Sequence, residues 1–231
     1  MTIAENIARI RAEMAEAAVR AGRDPAEILL CAASKMNDAA RVREAVAAGV
    51  DCCGENRVQE LTQKLAEHAY DGAPVHFIGH LQTNKVRQVV GKVALLQSVD
   101  RLELLRCVQK EAARLGITQD ILLEINIGAE ESKSGFTPAE AVAVADEMEA
   151  YPNCRLRGLM AIPPIAEKPG DNCRYFEKIH TISVDITAKN HHNSSMDILS
   201  MGMSGDYADA IACGSTMIRV GTAIFGARHY L

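Results

Sequence analysis

Eight apolar segments alternate with amphipathic segments along the chain, and this alternation constrains the fold more than any other feature. Several apolar segments are nearly continuous hydrophobic runs, which is typical of strands covered on both faces. A regular exchange of strand and helix predicts right-handed βαβ units and a parallel sheet. The predicted strands span residues 28–34, 50–55, 75–79, 93–99, 121–126, 156–160, 198–201 and 217–221.

Eight such units in 231 residues fit an α/β chain folded as a compact (β/α)8 TIM barrel. An open doubly wound sheet is the alternative, but no Gly-x-Gly-x-x-Gly turn follows the first strand. Residues 1–21 predict an additional N-terminal helix, because Ile3, Ile7, Ile10 and Met14 recur at helical spacing. No linker, repeat or low-complexity tract interrupts the sequence, so residues 1–231 are expected to form a single domain.

Composition excludes several classes of function. The formal net charge is −5 and no dense block of lysine and arginine occurs, so no nucleic-acid partner is expected. No apolar run approaches the roughly 20 residues that cross a bilayer. The N-terminus lacks the basic and apolar regions of a signal peptide, which predicts a cytoplasmic protein without membrane attachment.

The cysteines and histidines show no metal-ligand spacing. There are seven cysteines and no Cys-x-x-Cys pair, which indicates reduced core thiols and no metal site. His76 and His80 share one face of a predicted strand, but neither has a cysteine or aspartate partner nearby in sequence. His191 and His192 lie in a polar stretch and are expected to be solvated.

A single lysine, Lys35, ends the first apolar run. Active sites of TIM barrels lie at the carboxyl ends of the strands, where this lysine is expected. A partly desolvated lysine amine loses its proton readily and can form a Schiff base with an aldehyde. A solvated strand terminus is the alternative for Lys35 taken by itself.

The loops after the last two predicted strands have the composition of a phosphate site. Ser200 and Ser204 frame a glycine-containing stretch after the seventh strand, and Gly221 and Thr222 follow the eighth. Barrels often bind phosphate with these two loops, using close backbone N–H groups and hydroxyl donors. Ordinary turns are the alternative.

Closure of a barrel would bring the first strand beside the eighth, and so Lys35 beside these loops. Lys35 would then lie next to a phosphate site, with Arg219 between the two in strand order. This combination suits pyridoxal 5′-phosphate. Its aldehyde would reach Lys35, its phosphate the last two loops and its ring nitrogen Arg219.

Ordered motifs along almost the whole chain match one family. They occupy residues 32–35, 54–60, 76–85, 132–136, 158–160, 200–204 and 214–226. The sequence resembles the pyridoxal phosphate homeostasis (YggS/PROSC) family, whose barrel is related to the alanine racemase N-terminal domain. The resemblance implies a fold type III barrel that binds pyridoxal 5′-phosphate.

The resemblance also implies roles for individual residues. Lys35 would carry the Schiff base, and Arg219 would face the pyridine nitrogen. Phosphate contacts are implied for Ser200, Gly221 and Thr222, and pocket-lining positions for Asn56 and His80. Alternatives remain for the last two: Asn56 as a helix N-cap before Arg57, and His80 as a core histidine.

One departure from the family pattern follows the first strand. A second lysine often occurs there in a Ser-Lys-x-Lys-Pro motif, whereas this chain has Met36, Asn37 and Asp38 after Lys35. Lys133 matches a family lysine, although an exposed loop position is its alternative interpretation.

The residues favour cofactor binding over catalysis. Arginine only donates to the ring nitrogen and leaves it unprotonated, which weakens the ring as an electron sink. Racemases of the related fold tolerate arginine but take a tyrosine base from an added C-terminal domain, which is not expected here. We therefore expect a monomeric homeostasis protein without efficient turnover, acting on pyridoxal phosphate and on apo-enzymes that use it. An amino-acid racemase and a sugar-phosphate aldolase are the alternatives.

Overall fold

A closed barrel of eight parallel strands forms the centre of the protein in a computed structural model that describes residues 1–130, 134–189 and 193–226. The strands are joined in sequence order, and β1 also pairs with β8. Their bounds are β1 Leu29–Ala33, β2 Cys52–Glu55, β3 Val75–Phe77, β4 Leu95–Val99, β5 Gln119–Ile125, β6 Cys154–Ala161, β7 Ser194–Ser200 and β8 Met217–Val220. The eight-stranded TIM barrel predicted from the sequence is confirmed.

Helices surround this barrel. They are α1 Ile3–Arg20, α2 Ala39–Ala47, α3 Val58–Ala66, α4 Leu102–Leu115, α5 Pro138–Asp146, α6 Cys173–Ala188, α7 Tyr207–Ala212 and α8 Thr222–Phe225. Short 3₁₀ turns occupy Pro25–Glu27, Thr83–Gln88 and Met148–Ala150. In the described ranges, no helix combines the length and the apolar character needed to cross a membrane.

The structure departs from the predicted elements at a few places. The segment Thr83–Gln88, within one of the amphipathic segments between the predicted strands, is a 3₁₀ turn. The seventh strand begins at Ser194, four residues before the predicted start. Its first residues are half-buried and polar, so hydrophobic pattern alone did not mark them.

The N-terminal helix α1 follows the predicted pattern. Ile7 and Ile10 are buried on one face, which packs against α2, α7 and α8. Thr2 caps the helix: its hydroxyl accepts from the Glu5 N–H while the Glu5 carboxylate accepts from the Thr2 N–H. Asn6 also donates to the Ile224 carbonyl at 2.9 Å, so α1 contacts the short helix that follows the last strand.

A buried ion pair fixes the backbone at the end of β1. The Lys64 ammonium on α3 lies 2.6 Å from the Glu55 carboxylate at the end of β2, and it donates to the Ser34 carbonyl at 2.9 Å. The Ser34 hydroxyl donates to the same Glu55 carboxylate at 2.7 Å. Both charged groups are buried, so each depends on the other for its compensation.

Removing one member of this pair should destabilise the fold strongly. In Lys64→Ala the Glu55 carboxylate loses its buried counter-charge, and we expect the free energy of unfolding to fall by about 3–5 kcal/mol. Lys189→Ala is the matched control, since Lys189 and Asp146 form a pair in which each side chain is 40% exposed. Chemical denaturation of both variants measures the difference; equal small losses would contradict a structural role for the Lys64–Glu55 pair.

Candidate cofactor site

A cavity of about 620 Å³ opens at the carboxyl ends of β1 and β8. Pairing of these strands places Cys31 opposite Arg219, so the segments that follow them meet at one edge. The side chains of Lys35, Arg219 and Thr222 line this cavity together with Gly221. The structure thus brings four of the seven residues predicted from the sequence around one space.

Lys35 stands between two anchored residues. The Ser34 N–H donates to the Gly54 carbonyl at 2.9 Å, and the Met36 N–H donates to the Glu60 carboxylate at 2.7 Å. Met36 takes a left-handed backbone conformation with φ of 62°, which is uncommon for a residue with a side chain. The segment after β1 is therefore held by β2 before Lys35 and by α3 after it.

Arg219 is a buried cation at the floor of the cavity, with 4% of its surface exposed. One guanidinium nitrogen donates to the Ser200 hydroxyl at 2.6 Å and another to the Ala161 carbonyl at 3.0 Å. Burial lowers the pKa of Arg219, while the nearby Glu124 carboxyl raises it. Guanidinium groups stay protonated in proteins, so Arg219 acts only as a donor.

Ser200 lies beneath the cavity and not on its lining. Its hydroxyl accepts from Arg219 and donates to the Gln97 amide oxygen at 2.6 Å, and the Gln97 amide nitrogen lies 3.0 Å from His76 Nδ1. These bonds occupy the hydroxyl. In this structure the Ser200 hydroxyl therefore holds Arg219, and the phosphate contact that the resemblance implies for Ser200 stays a prediction.

Ser204 lies on the cavity lining with Thr222 and is the hydroxyl that sequence reasoning did not select. It follows a tight loop in which Gly202 has a φ of 94°, where a side chain would collide with the Ala210 Cβ at 2.6 Å. The Gly202 carbonyl accepts from the Arg219 N–H at 3.0 Å, which ties this loop to β8. The Ser-Gly pattern gave the loop but not which serine faces the cavity.

Arg41 is a second lining residue that the sequence reasoning missed. It lies in the first turn of α2, where it donates to the Asn37 side chain at 3.0 Å and to the Phe225 carbonyl. Its guanidinium also lies 5.9 Å from the centre of the Phe225 ring. With Lys35 and Arg219 it gives the cavity three cationic side chains, against one carboxylate from Asp38.

Asn56 directly follows β2, the neighbour of β1, and does not line the cavity. The N-cap of α3 is Arg57, so the alternative of Asn56 as an N-cap is wrong. The Asn56 Oδ1 atom is buried and has no hydrogen-bond partner among the described residues. Gly79 permits the close approach of this segment, because a Cβ there would lie 2.2 Å from the Asn56 carbonyl oxygen.

His80 lines a second cavity of about 180 Å³ with Glu124, Asn126 and Ser134. Its side chain is 53% exposed and its Nδ1 lies 2.9 Å from the Asp100 carboxylate, so the core-histidine alternative is wrong. The aspartate partner comes from the end of β4, which sequence proximity could not indicate. Burial, with the neighbouring Asp100, raises the pKa of Glu124 to about 7.

Some predicted positions are not placed. Lys133, His191 and His192 lie outside the described residues.

Comparison with known proteins identifies relatives over the full chain. The alanine racemase N-terminal domain model matches residues 2–229. The pyridoxal phosphate homeostasis protein of Pseudomonas aeruginosa is 44% identical over 230 residues, covering 99% of this chain and 97% of that protein. Its counterpart from Escherichia coli K12 is 41% identical over 231 residues, with 99% and 97% covered.

A solved structure extends this likeness to three dimensions. PipY from Synechococcus elongatus, with pyridoxal phosphate bound, superimposes with a TM-score of 0.83 at 32% identity and covers 97% of this chain and 100% of that chain. The chain belongs to the alanine racemase N-terminal domain family, among the relatives named pyridoxal phosphate homeostasis proteins.

Proposed function

We propose that this protein binds pyridoxal 5′-phosphate and acts in its homeostasis, without efficient turnover of amino acids. The observation that carries the proposal is the grouping of Lys35, Arg219 and Thr222 around one cavity. The relatives support it by their names, and PipY by its bound pyridoxal phosphate.

The residues present fit this cofactor. The cavity volume of about 620 Å³ lies within the range of small-molecule sites. Lys35, Arg41 and Arg219 offset a phosphate dianion. The buried Asn56 Oδ1 has no partner within the described part of the chain and can accept a hydrogen bond from a ligand. When bound, pyridoxal phosphate supplies an aldehyde for covalent attachment and an electron-withdrawing ring.

Each side chain has a distinct proposed task. Lys35 binds the cofactor covalently through its amine, and Arg219 donates to the ring nitrogen. Ser204, Thr222 and the N–H groups of the first turn of α8 bind the phosphate, since the first N–H groups of a helix lack partners within it. Ser200 orients Arg219.

The same arrangement argues against efficient carbanion chemistry. A donor at the ring nitrogen keeps that nitrogen unprotonated, so a negative charge at a substrate α-carbon gains little stabilisation. The proposed protein is a cytoplasmic monomer. It binds pyridoxal phosphate and releases it to apo-enzymes.

Lys35 should be the residue labelled by borohydride. Reduction of the holo-protein converts the covalent attachment to a stable secondary amine, which peptide mapping locates. The expected label is on Lys35, with Lys35→Ala as the unlabelled control. Label on Lys85 or Lys133 in the wild-type protein would overturn the assignment.

Comparing the binding of pyridoxal phosphate with that of unphosphorylated pyridoxal should distinguish residues that contact the phosphate from residues that contact the ring. Thr222→Ala and Ser204→Ala should each weaken pyridoxal phosphate binding by about tenfold, because a hydrogen bond to a charged group contributes roughly 1.5–3 kcal/mol. Unphosphorylated pyridoxal should be little affected. Ser200→Ala should weaken both ligands alike, since it acts through Arg219; a selective loss of pyridoxal phosphate binding would instead place the phosphate at Ser200.

Turnover should be far below that of ordinary enzymes. The holo-protein is incubated with each L-amino acid in deuterated water while α-deuteration, racemisation and keto-acid formation are followed. Slow α-proton exchange by Lys35 is compatible with the proposal. Turnover of one amino acid near the typical enzyme range of about 1–1000 per second would establish the racemase instead.

A further inference from the structure

A cluster of soft donor atoms lies inside the barrel, apart from the cofactor cavity. Cys31 on β1, Cys52 on β2 and His76 on β3 point into the barrel interior from three adjacent strands. Two of them are neighbours across the sheet, because Cys31 pairs with Cys52 in the strand register. Their exposed fractions are 0%, 2% and 7%.

The spacing of these atoms approaches that of metal ligands. The two Sγ atoms and one ring nitrogen of His76 all lie within 4.8 Å of one another. In a tetrahedral site with Zn–S of about 2.3 Å and Zn–N of about 2.0 Å, neighbouring donors stand roughly 3.5 Å apart. Small changes in side-chain torsion would therefore bring the three donors around one ion.

The protonation state of the imidazole suits coordination. Burial lowers the pKa of His76 to about 4, so at neutral pH the ring is uncharged and offers a lone pair. The pKa of Cys52 is raised well above its ordinary value by its contact with Cys31 and by burial. A bound cation is the counter-charge that would allow these thiols to ionise.

Two further side chains complete the surroundings. Met217 packs against both cysteines, and its thioether is a soft donor available as a fourth ligand. The Gln97 amide lies 3.0 Å from His76 Nδ1 and 3.2 Å from the Met217 sulfur, so it contacts two members of the set. In this arrangement the Gln97 amide nitrogen donates to His76 Nδ1, so ligation through Nε2 requires the imidazole proton to move to Nδ1 and the Gln97 amide to turn its oxygen toward it.

We propose that Cys31, Cys52 and His76 bind one thiophilic d10 cation, Zn²⁺ or Cu⁺, in the barrel interior. Binding replaces the two thiol protons, which are released to solvent, by two metal–thiolate bonds, and no redox change occurs. With Zn²⁺ the ion and the two thiolates sum to zero charge. With Cu⁺ they sum to one negative charge, which the guanidinium of Arg219, opposite Cys31 in the register, offsets.

Cobalt(II) is the spectroscopic probe for the zinc arm of the test. The reduced protein is titrated anaerobically with Co²⁺, and we expect one equivalent to give thiolate-to-cobalt charge transfer and intense red d–d bands of a tetrahedral site. Zn²⁺ should displace the cobalt. Cys31→Ser and Cys52→Ser should each weaken metal binding about 100-fold or more. Loss of an outer partner of a ligand costs up to about 100-fold, and loss of a ligand itself should cost at least as much.

Cys53→Ala is the matched control, because Cys53 is adjacent to Cys52 in sequence but packs in the other core cluster, outside the proposed ligand set. It should leave the cobalt spectrum and affinity unchanged. His76→Gln keeps a polar side chain and should remove the nitrogen ligand. Far-ultraviolet circular dichroism establishes that each variant is folded.

The copper arm separates the two ions. Cu⁺ is delivered against a chromophoric Cu⁺ chelator, and Met217→Leu should weaken Cu⁺ binding while leaving Co²⁺ binding largely intact. Stronger competition by Cu⁺ than by Zn²⁺ would assign the site to copper, and the reverse would assign it to zinc. The proposal is contradicted if the wild-type protein shows no saturable binding of one equivalent of either ion. Binding that survives both serine substitutions would also contradict it.

Discussion

Closure of the sheet by the pairing of β1 with β8 is the constraint on which the candidate site depends. Lys35 and Thr222 are separated by most of the chain, yet they follow neighbouring strands and line one cavity. Parallel strands place their carboxyl ends at one edge, so chemistry from the first and last units meets there. The anchored backbone around Lys35, through Lys64 and Glu60, then fixes where its side chain begins.

The barrel interior carries a polar chain beneath this cavity. Arg219 donates hydrogen bonds to the Ser200 hydroxyl and the Ala161 carbonyl. Ser200 in turn donates to Gln97, and Gln97 donates to His76. A buried guanidinium without such partners would be strongly unfavourable, so these bonds set both its charge and its direction. The same chain connects the ring-nitrogen donor of the proposed cofactor site with the soft-donor cluster formed by Cys31, Cys52 and His76.

Much of the architecture could be predicted from the sequence, because strand alternation and closure depend on backbone periodicity. The adjacency of Lys35 and Arg219 followed directly from strand order. The directions of the side chains could not be predicted in this way. Ser204 lines the cavity and Ser200 does not, and Arg41 lines it from a helix. The single-domain organisation of residues 1–231 stays a prediction.

Contacts between strands were also beyond sequence reasoning. His80 meets Asp100, and His76 meets two cysteines, only because neighbouring strands stack these positions at one level. Spacing along the chain cannot report such contacts. The unpartnered Asn56 Oδ1 likewise emerges only when its surroundings are known, since a helix cap was an equally reasonable expectation.

A crystal structure of the protein with pyridoxal phosphate tests the central claim most directly. The account predicts continuous density from Lys35 Nζ to the cofactor, with Arg219 at the ring nitrogen and the phosphate between Ser204, Gly221 and Thr222. Ser200 should keep its hydrogen bond to Arg219. Cofactor density joined to another lysine, or a phosphate bound away from the loops after β7 and β8, would contradict the account.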